Sequence, residues 1–186
     1  MRLIPILCLV AASLAQAQLQ APEPTGLPAL DACAAAVVAN KDGAKQVTLC
    51  KEAVKEAVGK GNKFRVISYE YDAEAMLRNN QRDHALGQIN DAIEHIDRGG
   101  IDEPTTARAY LIRAHCFEAL KRVLEAEDSI KVAETHQRKA LADANPEQHG
   151  LYANTLKSML LYDAGLLKAL NRDGDAIAAR DEASKL

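Results

Sequence analysis

Few residues in this chain are of types that do chemistry, and the first question is whether any are spaced to act together. Asp83 stands beside His84 in the polar run LRNNQRDHALGQINDAIE, an acid next to a base. The five histidines are His84, His95, His115, His136 and His149. They contain no H-E-x-x-H, and no pair sits four apart to turn two imidazoles toward one zinc ion. Glu94-His95 and Glu134-x-His136 read as ordinary neighbours on a solvated helix face. Ser68, Ser129, Ser158 and Ser184 lie in helical, charge-flanked contexts, without the G-x-S-x-G turn that exposes a nucleophile. The glycines gather into no phosphate-cradling loop. Glu70 and Glu74 come closest to a carboxylate pair for acid–base work, but carboxylates one helical turn apart are common on solvated helices. The expectation is a chain with no catalytic residues, no metal site and no cofactor, and so not an enzyme.

The cysteines carry a clearer signal. Cys33 and Cys50 have their midpoint between Lys41 and Asp42, in a Lys-Asp-Gly segment that reads as a turn. Residues equidistant from the turn of an antiparallel hairpin lie opposite each other. Ala32, Ala34, Ala35 and Ala36 let the two backbones approach closely enough for a disulfide. Closing that loop contributes about 3 kcal/mol in the chain-entropy model; the alternative is two buried thiols. Cys116, between Ala114 and Phe117 on one apolar helix face, reads as a buried small hydrophobe. Pairing between two chains would need it exposed.

The redox compartment follows from the first residues. MRLIPILCLVAASLAQAQ has one early cation, an apolar stretch too short to span a bilayer, and Ala15-Gln16-Ala17 as a small-x-small cleavage site. Residues 1–17 are therefore expected to be a signal peptide, and residues 18–28, with their prolines, a flexible leader. Export to the periplasm or beyond places the cysteines where disulfides persist. The formal net charge is −3, without a basic block. That argues against nucleic acid and anionic membranes as partners, and no later stretch suggests membrane insertion.

Residues 29–186 must position whatever acts, and they read as all-α. Ala85, Leu86, Ile89, Ala92, Ile93 and Ile96 form one apolar stripe at the helical period. Leu156, Leu160, Ala164, Leu167 and Leu170 form another, and strand-type alternation is absent. Asn145-Pro146-Glu147 reads as an N-cap, a first-turn proline and a first-turn acid. The pattern predicts helices near 29–40, 44–59, 62–79, 82–97, 104–121, 124–143, 146–171 and 174–185. Their short connections favour antiparallel neighbours, which makes four helical hairpins in a row.

Aligning the hairpins exposes a repeat. Ala73, Ala85 and Ala92, then Ala114, Ala126 and Ala133, then Ala164, Ala176 and Ala183 all keep gaps of 12 and 7. Ile89 and Ile130 fill the large apolar slot between the last two, and Phe117 an aromatic slot. In these residues the chain resembles the tetratricopeptide repeat family. Its departures are a spacing of 41 and then 50 residues where that family repeats every 34, Arg180 in the apolar slot, and no junction proline. The first hairpin fits the pattern poorly.

The resemblance implies antiparallel helical hairpins stacked as a short TPR-like α-solenoid, whose first helices line a groove for a protein or peptide partner. On this chain the groove positions are Glu70, Glu74, Leu111, His115 and Leu161. Acids at 70 and 74 stand where some family members bind a C-terminal carboxylate through Lys and Asn, so that ligand is not implied. The expected function is an exported, non-enzymatic scaffold or adaptor. The alternative is a periplasmic helical bundle that binds a small ligand or a metal. Asp83 and His84 fall on the solvent side of a hairpin turn, where the other copies carry unrelated residues, so they read as part of a scaffold.

Overall fold

Two helix starts show how local chemistry sets the architecture. Asn145 caps one, its side chain accepting from Gln148 N at 2.9 Å with Pro146 in the first turn, and Asp102 caps another by accepting from Thr105 N at 3.0 Å. The computed structural model describes residues 24–39 and 43–186. The expected signal peptide, most of the expected leader and most of the Lys41–Gly43 turn lie outside these residues.

The described residues form helices and no strand: α1 (Pro28–Ala39), α2 (Gly43–Glu56), α3 (Asn62–Arg78), α4 (Arg82–Asp97), α5 (Glu103–Ala119), α6 (Val123–Ala142), α7 (Pro146–Ala169) and α8 (Asp173–Ala183). The expected eight helices are present, and α4 has the expected bounds. Helix α2 stops earlier than periodicity alone suggests, because the chain turns through Gly59 and Gly61, both at positive φ (78° and 109°), a conformation open to glycine without strain.

The helices pair in chain order, α1 with α2, α3 with α4, α5 with α6 and α7 with α8, and each pair packs on the next. Three of the pairs turn back through the same backbone structure. Asn80, Lys121 and Asn171 all take a left-handed conformation, with φ of 59°, 61° and 59°. Behind each, the next residue donates to a carbonyl five residues earlier: Gln81 to Met76, Arg122 to Phe117, and Arg172 to Leu167, at 2.8–2.9 Å. This is the Schellman closure of a helix C-terminus. In each case the following helix then opens with a bond from the repeat alanine (Ala85, Ala126 or Ala176) to that same residue's carbonyl.

All nine repeat alanines are buried, none above 2 % exposed. A methyl group there lets helix axes approach, whereas a longer side chain would overpack the contact. The first hairpin shares the register after all. Ala34, Gln46 and Ala53 keep the same gaps and are equally buried, with Gln46 in the place of an alanine and its amide donating to Ala36 O at 3.0 Å. A glutamine in a small-residue slot hides that copy from a search for alanines. Cys50 takes the slot of Ile89 and Ile130, and it forms the expected disulfide with Cys33 (Sγ–Sγ 2.05 Å, Cα–Cα 4.8 Å).

The apolar interior follows the chain. One cluster runs from Leu30 through Val66, Tyr71 and Ile89 to Ile112. The next holds Phe117, Ile130, Met159 and Leu166, and a small third joins Leu167 to Ala176 and Ala179.

Candidate functional site

The five groove positions occupy two equivalent registers. Glu70, Leu111 and Leu161 each precede the helix-A alanine of their hairpin by three residues, and Glu74 and His115 each follow it by one. They therefore fall on corresponding faces of α3, α5 and α7. The structure treats them differently along the row.

At the α3 end the row is closed by charge. Glu70 is buried, and its Oε2 accepts from Arg108 Nη1 at 3.0 Å; Glu74 accepts from Arg108 Nη2 at 3.1 Å and from Arg78 Nη2 at 2.5 Å. The Arg108 guanidinium lies 4.1 Å over the Tyr71 ring, and Arg78 donates to Val37 O on α1. Two arginines thus lace α1, α3 and α5 together through two carboxylates, each guanidinium bonding two separate acceptors through its two Nη groups. Burial pushes the Glu70 carboxyl up to about 7 against the pull of Arg108.

Toward α7 the row opens. Leu111 and His115 are half-buried, and Leu161 is 49 % exposed. The His115 ring meets Tyr162 edge-on at 4.8 Å, and Tyr162 Oη donates to Glu118 Oε2 at 2.8 Å. Burial holds the imidazole below its ordinary pKa, so His115 is a neutral, amphipathic surface at pH 7. Its neighbour Cys116 is unpaired and buried, and burial pushes its thiol up to about 12, far from a reactive thiolate. The row thus combines a charged, braced end with an aromatic and aliphatic end. Asp83 and His84 are both exposed at the start of α4, off this row.

Comparison with protein-family models, curated proteins and solved structures gives no match.

Two histidines read as solvated are not. His95 is buried, stacked on Tyr69 (5.8 Å between centroids) and within 3.2 Å of Asn62 Oδ1; His136 is half-buried, stacked on Tyr110 (6.0 Å) and bonded to Glu103. Each ring reaches back from the second helix of a hairpin to the first. The pairs recur at equivalent positions: each tyrosine lies four residues before its helix-A alanine, and each histidine three after the last alanine. That shared offset was the available signal. Reading each histidine only against its sequence neighbours concealed it. No group of His, Cys, Asp or Glu suited to a metal ion occurs among the described residues.

Proposed function

We propose that this chain is an exported, non-enzymatic, tetratricopeptide-like scaffold that holds a protein or peptide partner along the face shared by α3, α5 and α7. The observation that carries this reading is the recurrence of one hairpin design, with the same left-handed turn and the same buried small-residue register, in a chain whose pairs pack in sequence order. An array of that kind presents corresponding positions of successive first helices on one surface, preorganised for an extended ligand. The ion pairs of Glu70 and Glu74 stiffen that surface at one end. Leu111, His115 and Leu161 offer it apolar contact at the other. Export is supported by the Cys33–Cys50 disulfide, and no helix among the described residues is long and apolar enough to cross a membrane.

The test is affinity capture from the native cell envelope with the wild-type chain and with a Leu111→Asp/Leu161→Asp variant in parallel. Wild type should retain a defined partner that the variant loses by at least about tenfold, the equivalent of 1.4 kcal/mol. Equal retention by both, with the variant's fold intact by circular dichroism, would remove the groove from the reading. The alternative expectation, a small-ligand binder, draws on a different part of the molecule, the cavity at Asp72.

A further inference from the structure

Two residues along α3 from Glu70, and so about 200° around the helix, Asp72 points away from the groove into the junction of α2, α3 and α4. Asp72 is 1 % exposed, yet neither of its carboxylate oxygens has a hydrogen-bond partner. The carbonyl oxygen of Gln88, from α4, is likewise buried and unpartnered. Both residues line a cavity of about 400 Å³, with Thr48, Lys51, Glu52 and Lys55 of α2 along its other wall. Buried acceptors without donors are costly and uncommon in folded proteins, and here three of them border one space.

The molecule repeats the aspartate and lysine of this site at a second junction, where an ammonium partners one of the two aspartate oxygens and the other stays unpartnered. Asp163 precedes Ala164 as Asp72 precedes Ala73, and Lys131 follows Ala126 by five residues as Lys51 follows Gln46. At the α6, α7 and α8 junction, Lys131 Nζ sits 2.6 Å from Asp163 Oδ2, the carboxylate being fully buried. A primary ammonium therefore fits an aspartate at this position of the scaffold. At the first junction no such contact is made, and a cavity of ligand size stands beside the acid.

We propose that the α2–α3–α4 junction is a binding site for a primary ammonium group, held by the Asp72 carboxylate and the Gln88 carbonyl. The ammonium has three donors for these acceptors, and its charge compensates a buried carboxylate. Thr48 and Glu52 supply further acceptors on the α2 wall. The Asp72 oxygens are sealed from water in this conformation, so a ligand reaches them by displacing a side chain at the rim. Lys51 and Lys55 are exposed and flexible enough to move. The ammonium comes either on a free small amine or on a lysine side chain of a peptide. Because the site faces away from the groove, it stands or falls separately from the adaptor reading.

The experiment titrates the isotope-labelled chain with n-butylamine at pH 8, reading amide shifts by NMR. Burial pushes the Asp72 carboxyl up to about 6 against the partial pull of Lys51, so it is ionised at that pH. Shifts should cluster on α2, α3 and α4, be absent with butan-1-ol, and weaken at least about tenfold in Asp72→Asn. Lys51→Met, which removes the chain's own competing ammonium, should tighten binding several-fold. Nα-acetyl-lysine methylamide identifies the source: tighter binding than butylamine assigns the site to a peptide lysine, and equal or weaker binding to a free amine. Absence of saturable shifts in both wild type and Lys51→Met overturns the proposal. So does an undiminished response in Asp72→Asn, whose fold is checked by its own spectrum.

Discussion

The α2–α3–α4 and α6–α7–α8 junctions place an aspartate at the same point of the same hairpin design and partner it differently. Between α6, α7 and α8, one oxygen of Asp163 meets the Lys131 ammonium at 2.6 Å, and the other has no partner. Between α2, α3 and α4, Asp72 is equally buried, Lys51 is present in the matching slot, and no bond forms. The middle junction supplies a third answer. There the slot holds Arg113, whose guanidinium carbon lies 5.2 Å over the Phe117 ring. A scaffold that repeats its turns and its small residues closely therefore lets this position vary, as it does the groove positions. Variation at a single buried slot within constant surroundings is how a repeat array acquires local function without altering its fold.

The largest expected effect comes from breaking the closed junction. Lys131→Met leaves Asp163 charged, buried and uncompensated, and should cost about 2–3 kcal/mol in urea unfolding. That is below the range for wholly buried pairs, because the Lys131 side chain is 46 % exposed and already partly solvated. Lys51→Met, the same change at the open junction, should stay within about 0.5 kcal/mol of wild type. If both variants lose equal stability, Lys51 holds Asp72 in solution and the two junctions are alike.

The next effect appears as pH dependence. Asp72 is raised from 3.8 to about 6 and Glu70 from 4.5 to about 7, in both cases chiefly by burial. A carboxyl raised on folding binds more protons in the native than in the unfolded state between its two pKa values. Stability contributed by these groups is therefore complete below pH 4 and falls as pH rises to about 7. Asp72→Asn should remove the part of this decline between pH 4 and 6, and be more stable than wild type by about 1 kcal/mol at pH 8, where an unpaired buried charge is no longer present. Glu70→Gln should flatten the part between pH 5 and 7. It has no such gain at pH 8, because it also gives up the charged contact with Arg108. Thermal melts from pH 4 to 8 separate the two. A Glu70→Gln chain that keeps the full upper decline would show that Arg108 holds Glu70 ionised throughout.

What was legible beforehand follows the range of the forces involved. Residues 82–97 could be assigned as a helix, and Asn145-Pro146 as the start of α7, because periodicity and capping act within a few residues. The nine alanines were legible for a related reason: axis-to-axis approach imposes one residue size wherever it recurs. The Glu70–Arg108 contact spans 38 residues and depends on how α3 is phased against α5, which nothing in either segment states. The orphaned Asp72 was hidden for the same reason. An aspartate in a helix looks solvated until the helices that cover it are in place. Gln46 shows the converse, since a polar side chain can fill a small-residue slot when a carbonyl such as Ala36 O lies within reach.

The smallest effect extends the comparison to the hairpin turns, where one backbone position again carries different residues. Asn80, Lys121 and Asn171 share a left-handed conformation. For an ordinary side chain this costs about 1–2 kcal/mol, whereas asparagine tolerates it through local hydrogen bonding and glycine without steric penalty. Lysine is therefore the misfit. Lys121→Gly should stabilise the chain by about 0.5 kcal/mol, the relief of strain being partly offset by the greater freedom glycine has when unfolded. Asn80→Gly and Asn171→Gly should change stability by no more than a few tenths of a kcal/mol. A ranking in which Lys121→Gly loses stability would mean that the lysine stem makes a packing contact at the α5–α6 turn that outweighs its backbone strain. In that case the turns, like the junctions, would be a place where equivalent positions have diverged in role.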